Sequence, residues 1–445
     1  MVDQAIDRSD DDWWQVARTH LLRYGGEFMP FLAERAEGAR IWDAHGRTLL
    51  DFTSGQMCAL LGHNHPVLIE AMSSAAERVL HLFSGMLTAD VIAFAEQLAA
   101  TLPESLQKVM LLTTGAESNE AALRLAKLHT GGHEVVAFSG SWHGMTGAAA
   151  ASTYSAGHRG YGPAMPGTMA LPTPNPYRCP IKHCRDSCDL TCLDVGISLI
   201  DAQTVGSPAA VIVEPILSSG GIIPLPDGYL PRLTTMAHDR GYLVVLDEAQ
   251  TALGRVGAMY AFEQAGAVPD ILTLSKTLGA GLPVAATVTS DAIEADCAAK
   301  GFLHYTSHVS DPLAARVALA VLNEVLTQRL ADRAAKLGDR LTGQLRELAD
   351  RHESIGDIRG RGLLLGVDLV TDRQTREPAD EFGTAVTARC VELGLNVNIV
   401  QLKGLSSVLR IAPPLTITLD ELDEGVAILD QALTDTAAGA RNRRR

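Results

Sequence analysis

Tyr242-Leu243-Val244-Val245-Leu246 leads into Asp247-Glu248-Ala249-Gln250, and a second run, Asp270-Ile271-Leu272-Thr273-Leu274-Ser275, ends on Lys276. Apolar runs of strand length with polar residues only at their carboxyl ends suit a parallel sheet buried on both faces. Ligands of such sheets collect at the carboxyl ends of the strands. An Asp and a Lys placed at two of those ends meet the needs of pyridoxal 5'-phosphate (PLP). The amine condenses with the aldehyde, and the carboxylate keeps the pyridine nitrogen protonated so that the ring accepts electrons. Taken singly, a strand-end Asp is an ordinary helix cap and a Lys an ordinary surface charge. The pair gains its weight from the rest of the chain.

Further strands flank this stretch. Val109–Thr113 runs into Thr114-Gly115-Ala116-Glu117-Ser118-Asn119-Glu120 and the helical Ala121–Lys127. Thr114 and Glu117 have capping-box spacing, and small residues at a helix start expose the N–H groups that bind phosphate. Glu134–Phe138 precedes Ser141-Trp142-His143-Gly144, where the indole of Trp142 is suited to stacking on a flat ring. Ala209–Pro215 continues the alternation of strands with helices, which gives an α/β fold with a mostly parallel sheet. Before these, Trp13–Tyr24 has helical spacing, and Arg40–Phe52 reads as two strands about Ala44-His45-Gly46. His63 and His65 lack a third nearby ligand for a metal, and Pro66 opens a helix. Beyond Asp311-Pro312, amphipathic helices span 313–352. A strand over 360–369, two more at 395–400 and 408–411, and a last helix over 419–433 complete a smaller α+β region. The expected division is an N-terminal segment 1–58 packing with the small domain, a large domain 59–318 and a small C-terminal domain 319–445.

Composition excludes several classes of function. The chain has 445 residues, 37 Lys and Arg against 52 Asp and Glu, and a net charge of −15. That balance opposes nucleic acid or an anionic membrane as partner. No apolar run spans a bilayer, the acidic start lacks the pattern of a signal peptide, and seven cysteines form no even disulfide framework. The expectation is a reduced, cytoplasmic protein. Arg441–Arg445 reads as a solvated basic tail.

Taken together, Asp247-Glu248-Ala249-Gln250-Thr251, Leu274-Ser275-Lys276 and Thr114–Asn119 resemble the class III (ω-type) aminotransferases, which are fold type I PLP enzymes. The resemblance covers about Trp13 to Leu433. Within that family the chain looks most like the 2,2-dialkylglycine decarboxylases, through Phe52–Met57, Ser141–Gly147, Glu214–Gly221 and Arg410–Thr416. The likeness implies that Lys276 bears the cofactor and shuttles protons, Asp247 pairs with the ring nitrogen, Gln250 contacts the ring oxygen and Trp142 stacks. Gly115 and Ala116 would bind phosphate, with Thr114 and Glu214 completing the cofactor set. Ser307 stands where the family has a phosphate-binding Thr donated by a partner subunit, which implies a homodimer or homotetramer.

The same resemblance speaks to substrate. Aminotransferases for ω-amino acids usually carry Glu at the position of Ser219, where it neutralises the arginine at 410. Ser219 would leave Arg410 free for an α-carboxylate, while Gln56 and Trp142 hold a carboxylate elsewhere. A carboxylate held by Gln56 perpendicular to the ring would leave as CO2. One held in plane by Arg410 would expose the α-hydrogen instead. The implied activity is decarboxylating transamination of a 2,2-dialkylglycine such as 2-aminoisobutyrate with pyruvate, giving a ketone, CO2 and L-alanine. The alternative is transfer from an amine or ω-amino acid to a 2-oxo acid without decarboxylation. An alkali cation (K+ or Na+) at Leu82, Ser84, Ser307, Val309 and Asp311 is also implied, as an oxygen-only set. The clearest departure is Cys179-x4-Cys184-x3-Cys188-x3-Cys192, with His183 among the thiols. It reads as a loop of reduced cysteines or as a metal cluster of non-standard spacing.

Overall fold

The computed structural model describes residues 9–156, 160–185, 187–402 and 405–443. Met1–Arg8 of the acidic start and Arg444–Arg445 of the basic tail lie outside the described residues. The central sheet has seven strands in the order Lys108–Leu112, Ala285–Thr289, Ile271–Leu274, Leu243–Asp247, Pro208–Val213, Glu134–Phe138, Thr168–Leu171. All run parallel except Ala285–Thr289, which is antiparallel to both neighbours. Glu134–Phe138, Ile271–Leu274 and Ala285–Thr289 are buried at every position, as strands covered on both faces must be. Parallel running brings the residues after Leu112, Phe138, Val213, Leu246 and Leu274 to one edge. This is an α/β, fold type I architecture.

A second sheet orders Ile355–Arg361, Leu364–Asp372, Ser406–Ile411 and Asn398–Leu402. The single strand expected over 360–369 is therefore a hairpin. It turns at Gly362, whose φ of +54° and whose distance of 2.4 Å from a notional Cβ to the Val256 carbonyl carbon admit no side chain. The N-terminal strands Ala33–Glu37, Arg40–Asp43 and Thr48–Asp51 form a third sheet with Leu395–Asn396. The first helix, Asp10–His20, stops short of Tyr24 and buries none of its residues. The last helix runs from Leu419 to Arg443, ten residues past the expected end.

Helix Leu330–Arg351 has a continuous apolar stripe: Leu330, Ala334, Leu337, Gly338, Leu341, Leu345 and Leu348 are buried. Gly338 lets it touch the Gly362 turn, since a Cβ there would lie 2.2 Å from the Gly362 carbonyl oxygen. Gly343 on the same helix has open space. Alanine gains about 1 kcal/mol of helix propensity at either position. At 338 the backbone clash outweighs that gain, because overpacking costs about 1–3 kcal/mol and a carbonyl cannot swing aside. In urea unfolding, Gly338→Ala lowers the midpoint and Gly343→Ala raises it; a fall in both would show that this contact is not what glycine serves.

Candidate active site

The strand ends enclose a cavity of about 360 Å³. Its wall includes Thr114, Gly115, Ala116, Trp142, Glu214, Asp247, Gln250 and Lys276 of the expected residues, together with Cys58, Asn119 and His143. Asp247 is 5% exposed. Its Oδ2 accepts from Asn119 Nδ2 at 2.8 Å and lies 2.9 Å from His143 Nδ1, and its Oδ1 accepts from the Ala249 N–H at 3.1 Å. Burial pushes this carboxyl up, but His143, Lys276 and Asn119 together overcome burial and hold it below its ordinary value. The network extends through Asn119 Oδ1, which accepts from Thr273 Oγ1 at 2.7 Å on the adjacent strand. An ionised carboxylate is thus fixed at the cavity wall.

Lys276 follows the next strand at φ +38°, left-handed for a residue with a side chain, and opens the short helical turn Lys276–Gly279. Such a conformation costs on the order of 1–3 kcal/mol and is held by its surroundings. Opposite it, Gly115 starts the helix Gly115–Thr130, where a Cβ would lie 2.7 Å from Ser275 Oγ. The Thr114 hydroxyl accepts from the Glu117 N–H. The reciprocal half of the capping box is displaced by one residue, because the Glu117 carboxylate accepts from the Thr113 N–H at 2.9 Å. Gly144, at φ +128°, packs on Ala116; its Cβ would come within 2.5 Å of the Ala116 Cβ. These glycines leave an open cradle at a helix N-terminus, as a phosphate requires. Two polar atoms of the wall residues, His143 Nε2 and Gln250 Oε1, are buried without a partner among the described residues. Cradle, fixed carboxylate, amine and orphaned polar atoms suit PLP in donor chemistry and shape.

Glu214 accepts from the Trp142 N–H at 2.9 Å and the Ser218 N–H at 3.1 Å, and burial pushes its carboxyl up to about 7. Trp142, part of the cavity wall, is 36% exposed.

Four of the residues expected for catalysis or the cofactor lie outside this cavity wall, as do the cation residues Leu82, Ser84, Val309 and Asp311. Gln56 is exposed on a loop pinned by Asp51, which is fully buried. The Asp51 carboxylate meets the Thr53 N–H and hydroxyl, the Gly55 N–H, Asn396 Nδ2 and His63 Nε2. His63 is thereby committed to structure. Ser219 is half-buried beside Ser218, and Ser307 is exposed. Arg410 is 6% exposed; its Nε and Nη2 donate to Asn398 Oδ1 at 2.8 and 2.5 Å, and its Nη1 to Ser218 Oγ at 3.4 Å. Among the described residues no carboxylate forms an ion pair with it. Burial pushes its pKa down to about 10, so it stays cationic at neutral pH.

Around Asp311 the arrangement differs from the oxygen-only expectation. Its Oδ1 lies 2.6 Å from His81 Nδ1, and its Oδ2 contacts His308 Nδ1. Ser84 Oγ donates to the Thr306 carbonyl at 3.0 Å, which draws the Leu82–Ser84 and Ser307–Val309 segments together. The two imidazoles were not legible from the oxygen donors alone. Nor were Asn119 and His143 legible as partners of Asp247, although each falls inside a quoted motif.

Residues 23–433 match the profile of the family described as aminotransferase class-III. The chain belongs to the class III aminotransferases. It is 47% identical over 426 residues to an uncharacterised aminotransferase of Schizosaccharomyces pombe, covering 96% of this chain and 95% of that one. It is 34% identical over 415 residues to a leucine/methionine racemase of Thermococcus litoralis, covering 93% and 92%. An amine transaminase from an uncultivated Pseudomonas species, solved in its PLP-bound form, superposes with a TM-score of 0.85 at 28% identity, covering 93% of this chain and 98% of that one. PLP is the cofactor expected of a class III aminotransferase.

The Glu214 environment carries a pH signature. A carboxyl raised from 4.5 to about 7 in the folded chain binds more protons there than in the unfolded chain across that window. Its stabilising contribution is full below pH 4.5 and is lost as pH rises towards 7. Urea unfolding of the cofactor-free protein between pH 5 and 8 therefore shows a downward slope with pH up to about 7, and Glu214→Gln makes it shallower. An unchanged slope would mean that Glu214 is ionised throughout.

Proposed function

We propose that this class III aminotransferase takes an α-amino acid whose carboxylate pairs with Arg410 and passes its amino group to a 2-oxo acid such as pyruvate. For a 2,2-dialkylglycine such as 2-aminoisobutyrate, we propose that transfer proceeds with loss of CO2, giving a ketone and L-alanine. The observation that carries this reading is Arg410, a buried cation whose hydrogen-bond partners are an amide oxygen and a hydroxyl. Glu214 acts on this cation only through space, with no ion pair among the described residues, so a substrate carboxylate would complement a charge that burial makes costly. Gln56 supports the decarboxylating branch. It is an amide on a loop fixed by three contacts to Asp51, able to hold the departing carboxylate away from Arg410 without neutralising it.

Bound PLP supplies a sink for the electrons released at the substrate α-carbon. In this reading Lys276 holds the cofactor and moves the α-proton. Asp247 keeps negative charge beside the ring nitrogen, Gln250 meets the ring oxygen and Trp142 covers the ring face. The N-terminus of helix Gly115–Thr130 receives the phosphate. Whether the substrate carboxylate is held by Gln56 or by Arg410 would decide whether CO2 or the α-proton is lost, so one set of groups would serve both outcomes.

The proposal includes a second copy of this chain, whose Ser307 completes the phosphate site. Its support is that Ser307 is exposed and not part of its own cavity wall, in a region with exposed Phe83, Met86, Leu87, Leu303 and Tyr305. An alkali cation would be held at Leu82, Ser84, Ser307, Val309 and Asp311 once His81 and His308 yield the Asp311 carboxylate.

Mixing the PLP-loaded protein with 2-aminoisobutyrate in a single turnover, with potassium present, releases CO2 and acetone as the cofactor's visible band is lost. Band loss with L-alanine or an ω-amine, and none with 2-aminoisobutyrate, would leave transamination without decarboxylation. Lys276→Ala removes the visible band of the bound cofactor and turnover; full activity would refute the assignment. Gln56→Ala slows the decarboxylating half-reaction at least ten-fold more than the one with L-alanine. Equal losses would remove Gln56 from carboxylate placement.

A further inference from the structure

Cys179, Cys184, Cys188 and Cys192 take no part in the cavity. Cys179, Cys184 and Cys192 are 2%, 0% and 1% exposed, so the loop is not a display of surface thiols. At its centre Cys184 Sγ lies 3.0 Å from Asp189 Oδ1, and His183 Nε2 lies 3.2 Å from Asp189 Oδ2. One ligand atom from each of the three falls within 4.8 Å of the other two.

We propose that His183, Cys184 and Asp189 form a zinc site separate from the cofactor cavity. Zinc bonds to sulfur at about 2.3 Å and to imidazole nitrogen and carboxylate oxygen at about 2.0 Å, in tetrahedral geometry. Those lengths set sulfur and oxygen about 3.5 Å apart, and nitrogen and oxygen about 3.3 Å apart. The observed contacts, 3.0 Å from sulfur to Oδ1 and 3.2 Å from nitrogen to Oδ2, fall on different carboxylate oxygens, and with the three ligand atoms within 4.8 Å of one another a modest turn of the side chains would close them on one ion. Zinc would replace the thiol proton that Cys184 now shares with Asp189, and that proton passes to solvent. Mixed nitrogen, sulfur and oxygen donors suit a borderline-soft ion and not an alkali or alkaline-earth cation.

The surroundings are those of a supported site. Asp189 is oriented by the N–H and hydroxyl of Thr191, at 3.0 and 2.7 Å, the kind of outer contact that fixes a ligating carboxylate. Cys184 forms a buried floor, while His183 and Asp189 are exposed, giving the ion a route from solvent and leaving a fourth position open. Two other donor trios lack these properties. In His129, Asp296 and Cys297, Lys300 Nζ already holds Asp296 at 2.8 Å and the Cys297 thiol donates to the Leu125 carbonyl. His81, His308 and Asp311 share the surface assigned above to the alkali cation and the second copy.

Titrating the PLP-loaded protein with Co2+ under reducing conditions tests the site. The expected difference spectrum has a thiolate charge-transfer band that saturates at one Co2+ per chain and is displaced by Zn2+. Cys184→Ser abolishes the band. His183→Ala and Asp189→Asn, both at exposed positions that folding tolerates, weaken Co2+ binding at least ten-fold and keep the visible absorbance of PLP. No thiolate band, or zinc retained equally by wild type and His183→Ala after dialysis (an adventitious ion only), would overturn the proposal. So would a band that survives Cys184→Ser.

Discussion

The Asp247 carboxylate is the constraint on which the rest of the site depends. A buried negative charge is tolerated only when hydrogen bonds and opposing charge replace water. Here those replacements come from Asn119 in the helix after one strand, His143 in the loop after another and the Ala249 N–H beyond its own. Asn119 belongs to the same helix whose first turn makes the phosphate cradle. One carboxylate therefore fixes the distance between the two ends of the space a cofactor would fill. Only parallel strands, which deliver their carboxyl ends to a single edge, can bring these groups together.

Buried arginines in this chain differ in how their charge is met. Arg359 pairs with Asp357 and Asp368, and Arg178 joins it at Asp368. Arg255, fully buried, donates to the carbonyls of Leu363 and Pro413 and ties the Gly362 turn to the strand-end segment after Ala412. Arg410 meets one amide oxygen and one hydroxyl. The first pattern is a closed set of ion pairs, whereas Arg255, whose Nε has no partner among the described residues, and Arg410 are held by neutral oxygens alone. A shared fold does not set the substrate, which is why the proposed function is argued from one such cation and not from the architecture.

Much of the sheet was legible because a strand buried on both faces writes itself as an apolar run, and Glu134–Phe138 is a strand over the residues expected. Asp247 and Lys276 were legible because polar residues at the ends of such runs stand out. The companions of Asp247 were not, since Asn119 and His143 reach it from 128 and 104 residues away. The hairpin at Gly362 was read as one strand because its close approach to Val256 leaves no trace in local periodicity. Similarly, the spacing of the cysteines in 179–192 says nothing of their burial, while the tertiary fold buries three of the four thiols. Local pattern reports on secondary structure; pairings between distant segments are set by packing.

Asn396 donates to Asp51 across 345 residues, and the strand holding it, Leu395–Asn396, lies parallel to Thr48–Asp51. During synthesis the cavity wall, drawn from residues 58–284, is in hand well before residue 396 leaves the ribosome. The Asp51 loop with Gln56, and Arg410 with Asn398, can settle only afterwards. A nascent chain thus has the strand-end cavity in hand first, while the Gln56 and Arg410 segments take their places last.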